Sequence, residues 1–264
     1  MNESSSVQRA RVRIGCAGWS ISAAHRDAFG AGDSMLARYA TVFDAVEINS
    51  SFYRPHQRKT YERWAASVPA DFRFSAKLPK SISHEARLHR TGPLLEPFIE
   101  EVTGLGANLG GLLLQLPPSL AFDARTAATF FRMLRARWNG GCVCEPRHAS
   151  WFAPAATELL RKHAIGRVGA DPALNQDARV PGGDGSWRYW RWHGSPQMYY
   201  SAYSPSALAE LAEQVAATAD DGETWVIFDN TAAGHAIGDA RGLQSLLAAR
   251  RAGIVPIGHG AAGD

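Results

Sequence analysis

Short apolar runs that end in Gly, Pro, Asn or an acidic residue recur along the chain at a spacing that fits strands separated by helices. Eight of them predict strands: 11–18 (RVRIGCAG), 43–49 (FDAVEIN), 72–78 (FRFSAKL), 111–116 (GLLLQL), 142–145 (CVCE), 165–171 (IGRVGAD), 187–193 (WRYWRWH) and 224–230 (TWVIFDN). Amphipathic stretches at 34–39, 60–67, 95–105, 124–138, 153–163, 205–217 and 240–251 predict helices between most of these strands and after the last. Asp33, Asp123 and Ser204 stand where helix N-caps belong, and Pro205 takes the first helical position. Strand and helix in alternation imply parallel pairing through right-handed crossovers. Eight such units in roughly 250 residues point to an α/β fold, a single closed (β/α)8 TIM barrel, with an open doubly wound sheet as the competing architecture. The expected domain runs over 11–260, after a polar segment, 1–10, that reads as a short loose tail. The stretch 172–186 (PALNQDARVPGGDGS) has no helical periodicity and reads as a long loop in place of a crossover helix.

Side chains alternate faces along a strand, so each barrel strand sends every second residue inward. Placing the apolar positions against the helix layer puts Glu47 and Asn49 inside from the second strand. The same parity turns Ser75 and Lys77 inward from the third, Gln115 from the fourth, and Val143 and Glu145 from the fifth. Gly169 and Asp171 follow from the sixth strand, and Tyr189, Arg191 and His193 from the seventh. On the eighth, a register following Trp225 turns Ile227 and Asp229 inward, with Asn230 as the alternative occupant. Polar groups thus converge at the carboxyl ends of seven strands, where buried groups must meet one another, water or a ligand. This end of the fold carries its active sites.

The same strand ends carry a family signature. IGCAGW (14–19), VEINSSFYR (46–54), FSAKLP (74–79), LLLQLP (112–117), EPRHASW (145–151), RWHG (191–194) and DNTAAGH (229–235) follow one another in order across nearly the whole chain. In these motifs the chain resembles the YecE-like family, domain of unknown function 72. The resemblance implies a TIM-barrel fold in a family without an established activity, and therefore positions rather than a mechanism. Asp229 stands where the family pattern leads one to expect an amide.

Composition narrows the function classes. The 264 residues are 45% hydrophobic and 20% charged, which provides for a sizeable core and argues against a disordered or fibrous chain. Twenty-eight basic and 25 acidic side chains leave a formal charge of +3, too small a surplus to mark a dedicated nucleic-acid or membrane-surface binder. Only Lys59, Lys77, Lys80 and Lys162 are lysines. Three cysteines form no disulfide framework, the start lacks the apolar core of a signal peptide, and no run is long enough to span a bilayer. The expectation is a cytoplasmic protein with no membrane partner. The sequence leaves its oligomeric state open.

Three chemistries compete for the barrel mouth. Glu47 and Glu145 suggest paired carboxylates of the glycosidase kind, at the wider, inverting separation since their strands stand three apart. Glu47, Glu145, Asp171, His193 and Asp229 offer ligands to a divalent metal, although Lys77, Arg147 and Arg191 bring positive charge to the same place, and no compact ligand motif occurs. Those cations favour a polar, anionic small molecule, which Arg147 and Arg191 can grip in bidentate fashion. The leading expectation is an enzyme, a hydrolase or isomerase, with Glu47, Lys77, Glu145 and His193 as catalytic candidates. Asn49, Tyr53, Gln115, Arg147, Trp151, Asp171, Arg191 and Asn230 are the binding candidates. No cofactor is assigned, with a divalent metal as the open alternative. Lys77 is read as a Schiff-base or proton-transfer lysine only if no carboxylate holds it charged. A wall of Trp19, Phe52, Tyr53, Trp151, Tyr199, Tyr200 and Tyr203 offers stacking surface. The basic loop 79–93 (PKSISHEARLHRTGP) supports a different class of function, nucleic-acid binding.

Overall fold

A computed structural model describes residues 11–218 and 222–253. The expected tail, 1–10, and the last part of the expected domain, 254–260, lie outside the described residues. Every predicted strand is present: β1 (Val12–Cys16), β2 (Ala45–Ile48), β3 (Arg73–Lys77), β4 (Leu109–Gln115) and β5 (Gly141–Glu145) match the first five. The sixth is divided into β6 (Gly166–Arg167) and β7 (Gly169–Asp171). Within 172–186 lie a capped turn, Gln176–Ala178, and a two-residue strand, β8 (Gly182–Gly183), but no crossover helix. β9 (Trp187–Trp192) and β10 (Glu223–Phe228) complete the set.

The strands form two sheets rather than one uninterrupted ring. One has the order β1-β10-β9-β7, all parallel; the other has the order β2-β3-β4-β5-β6-β8, parallel except where β8 runs against β6. The sheets meet at two seams. At the first, a single parallel bridge joins Ala17 to Glu47, and the Gly18 amide donates to the Glu47 carbonyl at 2.9 Å. At the second, Val168 separates β6 from β7 while its amide donates to the Cys144 carbonyl at 2.9 Å. The expectation of a closed ladder is met only as an α/β fold of two abutting sheets.

The helices are α1 (Met35–Tyr39), α2 (Arg58–Ala66), α3 (Gly92–Val102), α4 (Ala124–Arg135), α5 (Pro154–Lys162), α6 (Pro205–Thr218) and α7 (Ala236–Arg251). Asp123 caps α4 by accepting from the Thr126 amide at 2.8 Å, and Ser204 accepts from Ala207 at 3.2 Å at the start of α6. At α1 the cap is Ser34, not Asp33: its hydroxyl accepts from the Ala37 amide at 3.0 Å. Among the described residues no helix is long and apolar enough to cross a membrane.

Two apolar cores result. The larger fills the space between strands and helices, built from the outward residues Val46, Ile48, Phe74, Leu112, Leu114, Cys142, Cys144, Trp190 and Phe228 with the helix stripes. The smaller lies inside, from Ala45, Leu113, Val143, Val168, Ala170, Trp187, Tyr189, Trp225 and Ile227. Trp187 and Trp225, packed edge to face with centroids 5.5 Å apart, plug the amino-terminal end. They fit because β4 opposes them with glycine: a Cβ on Gly110 would lie 2.6 Å from the Trp225 ring, and one on Gly111 2.6 Å from Trp187. The polar inward residues therefore collect at the opposite end.

Candidate functional site

Arg191, near the end of β9, is fully buried and organises that end. Its guanidinium grips Glu47 in bidentate fashion, with Nε to Oε2 at 2.9 Å and Nη2 to Oε1 at 2.7 Å. Nη1 donates to Glu145 Oε2 at 3.0 Å, and Nη2 lies 2.9 Å from Asp229 Oδ2. Glu47 takes a further bond from the Tyr189 hydroxyl at 2.9 Å. A carboxylate can only accept, so Tyr189 donates to it and in turn accepts from the Ser75 hydroxyl at 2.8 Å. Burial opposes the charge on Arg191, but Asp229, Glu47 and Glu145 outweigh it and drive the guanidinium well above its ordinary range.

His193 continues this network. Its Nδ1 lies 3.0 Å from Asp229 Oδ2 and so carries the proton that the carboxylate accepts. Nε2 lies 2.9 Å from Glu145 Oε1 and 2.6 Å from Arg147 Nη2, with one acceptor and one donor in reach. Arg147 pairs closely with the same Glu145 oxygen, and Gln115 Nε2 donates to the other at 3.2 Å. Burial pushes the Glu145 carboxyl up, but Arg147, Arg191 and His193 together hold it well below the usual carboxylate range. Asp229 is lowered in the same way, burial being overcome by Arg191 and His193.

Above this network lies a cavity of about 430 Å³ lined by Asn49, Phe52, Tyr53, Lys77, His84, Gln115, Tyr199, Tyr200, Asp229, Thr231 and Ala232. Lys77, from the end of β3, is its buried amine. Nζ sits 4.2 Å from the centre of the Phe52 ring, which is itself flanked edge-on by Tyr53 at 5.0 Å and His84 at 4.9 Å. Nζ forms no ion pair with any described carboxylate, because the nearest acids are committed to Arg191 and His193. Burial lowers its pKa to about 8, and Arg191 adds to the shift, against a smaller opposing pull from Glu47, Glu145 and Asp229. Asn49 Oδ1, at the same cavity, is buried without a partner among the described residues. Tyr199 holds a left-handed backbone conformation, φ 70°, that is costly for a non-glycine residue, and lies edge-on over the His193 ring at 5.7 Å.

Inward parity holds for Glu47, Lys77, Gln115, Glu145, Arg191 and His193, which the structure brings together. Only Asn49, Tyr53, Lys77 and Gln115 of the expected site residues face the cavity; Glu47, Glu145, Arg147, Arg191 and His193 form its supporting layer. Asp171 is a correction: alternation along 165–171 runs in the opposite phase, with Ile165 and Arg167 on the helix side and Val168 and Ala170 turned inward, so Asp171 faces outward and accepts from the outward-packed Tyr203 hydroxyl at 2.9 Å. Asn230 also leaves the site, since Asp229 takes the inward position and Asn230 donates to Asp239 at 2.6 Å and to the Ser201 carbonyl at 2.9 Å. Trp151 is core, with Nε1 bonded to the Leu120 carbonyl at 2.9 Å. Of the expected aromatic wall, Phe52, Tyr53, Tyr199 and Tyr200 line the cavity, whereas Tyr203 is core and Trp19 packs on Trp64. Thr231 and Ala232 were not anticipated, because a loop carries no periodic signal. From the basic loop only His84 reaches the cavity; Lys80 pairs with Glu85 at 3.2 Å, and Arg87 with Ser119.

The paired-carboxylate and metal arrangements do not fit this geometry. The Arg191 guanidinium occupies the space between Glu47 and Glu145 that a sugar and its water would need. Among the described residues no group of three or more His, Cys, Asp and Glu is disposed to hold a metal ion. Where Glu47, Glu145, Asp229 and His193 do meet, a guanidinium stands in the place of a cation.

A family model described as a protein of unknown function, DUF72, matches residues 13–260. The chain belongs to the DUF72 family. Curated relatives include the UPF0759 protein YecE of Escherichia coli (strain K12), 31% identical over 144 residues, and YunF of Bacillus subtilis (strain 168), 26% identical over 151. Each match covers 54% of this chain and 52% or 53% of the relative, so the chain spans about half the length of the curated relatives it matches. Among solved structures, a DUF72 protein from Thermotoga maritima MSB8 superposes with a TM-score of 0.75 at 24% identity, covering 90% of this chain and 99% of that one. A DUF72 protein from Enterococcus faecalis V583 gives 0.76 at 21% identity, covering 90% and 96%. These likenesses establish a shared fold, and the DUF72 description names no activity.

Proposed function

We propose that the two sheets form a (β/α)8-type barrel and that the cavity at its carboxyl end is an enzyme active site for a polar, anionic small molecule, which it hydrolyses or isomerises. The observation that carries this reading is Lys77, a buried cation facing a cavity of about 430 Å³ with no carboxylate of its own among the described residues. An internal partner would satisfy such a group in a merely structural role; without one, a ligand supplies it. Arg191 and Arg147 do not grip the substrate in this reading. They fix Glu145, Asp229 and His193, with Asp229 the member of that set that reaches the cavity and passes protons between it and the His193–Glu145 pair.

A thermal-shift panel of small carboxylates and phosphates at millimolar concentration tests the proposal. At least one is expected to raise Tm in the wild type and to lose most of that effect in Lys77→Met. The contrary result is an absence of anion stabilisation together with tight binding of a random oligonucleotide whose affinity falls steeply with salt. That outcome would transfer function to the exposed basic residues of 79–93.

A further inference from the structure

We infer that Lys77 is a covalent catalyst: its amine condenses with a carbonyl carbon of the substrate to form an imine, which makes the substrate class a small aldehyde, ketone or oxo acid. The inference rests on reading the mouth cavity as an active site, and it names what that site takes.

Three features of the surroundings set Lys77 apart from an ordinary buried ion-pair lysine. Its Nζ rests on an aromatic face rather than on a carboxylate, 4.2 Å from the Phe52 centroid. Phe52 cannot accept the proton or lock the amine in a salt bridge, so the nitrogen stays free to turn toward the cavity. The acids that would otherwise hold it charged are occupied: Glu47 by Arg191 and Tyr189, Glu145 by Arg147, Arg191 and His193, and Asp229 by Arg191 and His193. Finally, cavity groups suited to a carbonyl compound line the same space: Asn49, whose Oδ1 has no partner among the described residues, Gln115 and Asp229.

The lowered pKa of about 8 agrees with this geometry. At pH 7 about one amine in ten is then neutral, roughly two hundredfold more than for a free lysine near 10.4.

The step balances without an oxidant or metal. The neutral amine attacks the carbonyl carbon, a C–N bond forms, and the π electron pair moves to oxygen. The ammonium proton passes through Asp229 to that oxygen, giving a carbinolamine. Loss of water, carrying the second amine proton, then gives the imine. Hydrolysis by the reverse path returns the amine.

Reductive trapping tests the inference on the wild-type chain, with formaldehyde as an uncharged probe and glyoxylate as an anionic one, each with cyanoborohydride. Peptide mapping resolves the four lysines. Lys59, Lys80 and Lys162 are exposed, so simple accessibility would favour them. The expected result at pH 7 is modification of Lys77 at least about tenfold faster than of the other three, with the advantage shrinking as pH enters the ordinary lysine range, near 10.4. Lys77→Met should retain only the slow labelling. Equal or slower modification of Lys77 would overturn the inference, and since that ratio is read on the wild type, it stands even if the variant fails to fold. Stabilisation by anions without trapping at Lys77 would sink the imine and leave the active-site reading; trapping without any anion stabilisation would keep the imine and remove the anionic charge from the proposed substrate.

Discussion

Replacing Arg191 with methionine is expected to cost about 3–5 kcal/mol of stability, the range for removing one partner of a buried ion pair. The cause is the charge left behind. Glu47 and Glu145 are fully buried and Asp229 nearly so, and all three direct oxygens at one guanidinium. Without it they must either ionise unpaired in a low-dielectric interior or take up protons, and both raise the energy of the folded state. For a chain of this size the fall in Tm is on the order of 10 °C. Arg191→Lys should recover only part of the loss, because a single ammonium cannot reproduce the forked contact with Glu47 while reaching Glu145 and Asp229. Arg250→Met is the control: its pairing with Glu213 at 3.4 Å is exposed, and the expected change is below about 1 kcal/mol. Urea midpoints of the three variants measure this, and a loss for Arg191→Met no larger than for Arg250→Met would refute the network's role.

The second large effect is on acid stability. Glu145 and Asp229 both have carboxyl pKa values held below the ordinary range, so the folded state binds fewer protons than the unfolded chain as pH falls through the carboxylate region. Their contribution to stability is fully present above the unfolded values, near 4, and is lost as pH drops through the lower folded ones. Asp239 acts with the opposite sign, since burial raises it and its protonation favours the fold, which offsets part of the loss. The expected wild-type profile has no dependence from Glu145 or Asp229 between pH 6 and 8 and a steep decline below about pH 5. Glu145→Gln should be less stable at neutral pH, where Arg147, Arg191 and His193 lose an anionic partner, and should decline less on acidification. Parallel curves for the two proteins would show that Glu145 does not carry this term.

Much of this arrangement was legible from two-residue periodicity alone. The alternation in VEIN, FSAKL, LLLQL, CVCE and YWRWH placed Glu47, Lys77, Gln115, Glu145, Arg191 and His193 on one face, because each strand's apolar residues had to meet the helix layer. The same rule misplaced Asp171 for an identifiable reason. It needs a phase, and in IGRVGAD the apolar Ile165 and Val168 fall on opposite faces: Ile165 and Arg167 meet the helix layer, while Val168 and Ala170, rather than Gly169 and Asp171, turn inward. Asn230 against Asp229 was a register question at a strand end, decided by Trp225 packing beneath Trp187. Trp151 and Tyr203 could not be told from cavity aromatics, since a loop aromatic next to a strand end has the same sequence context whether its polar atom meets a ligand or, as here, a carbonyl or a carboxylate. Pairing was the least legible feature. Parity showed that acids and cations share one end, but not that Arg191 and Arg147 would absorb the acids and leave Lys77 alone. That division decides which group meets a ligand.

The direct test is therefore the titration of Lys77 itself. With only four lysines, Nζ can be followed by NMR in protein carrying ¹⁵N at the lysine side chain, assigned through Lys77→Met. A midpoint near 8, about two units below the ordinary lysine value near 10.4, is the expected result. A midpoint at or above about 10.4 would show that a carboxylate holds Lys77 charged, and would contradict the account.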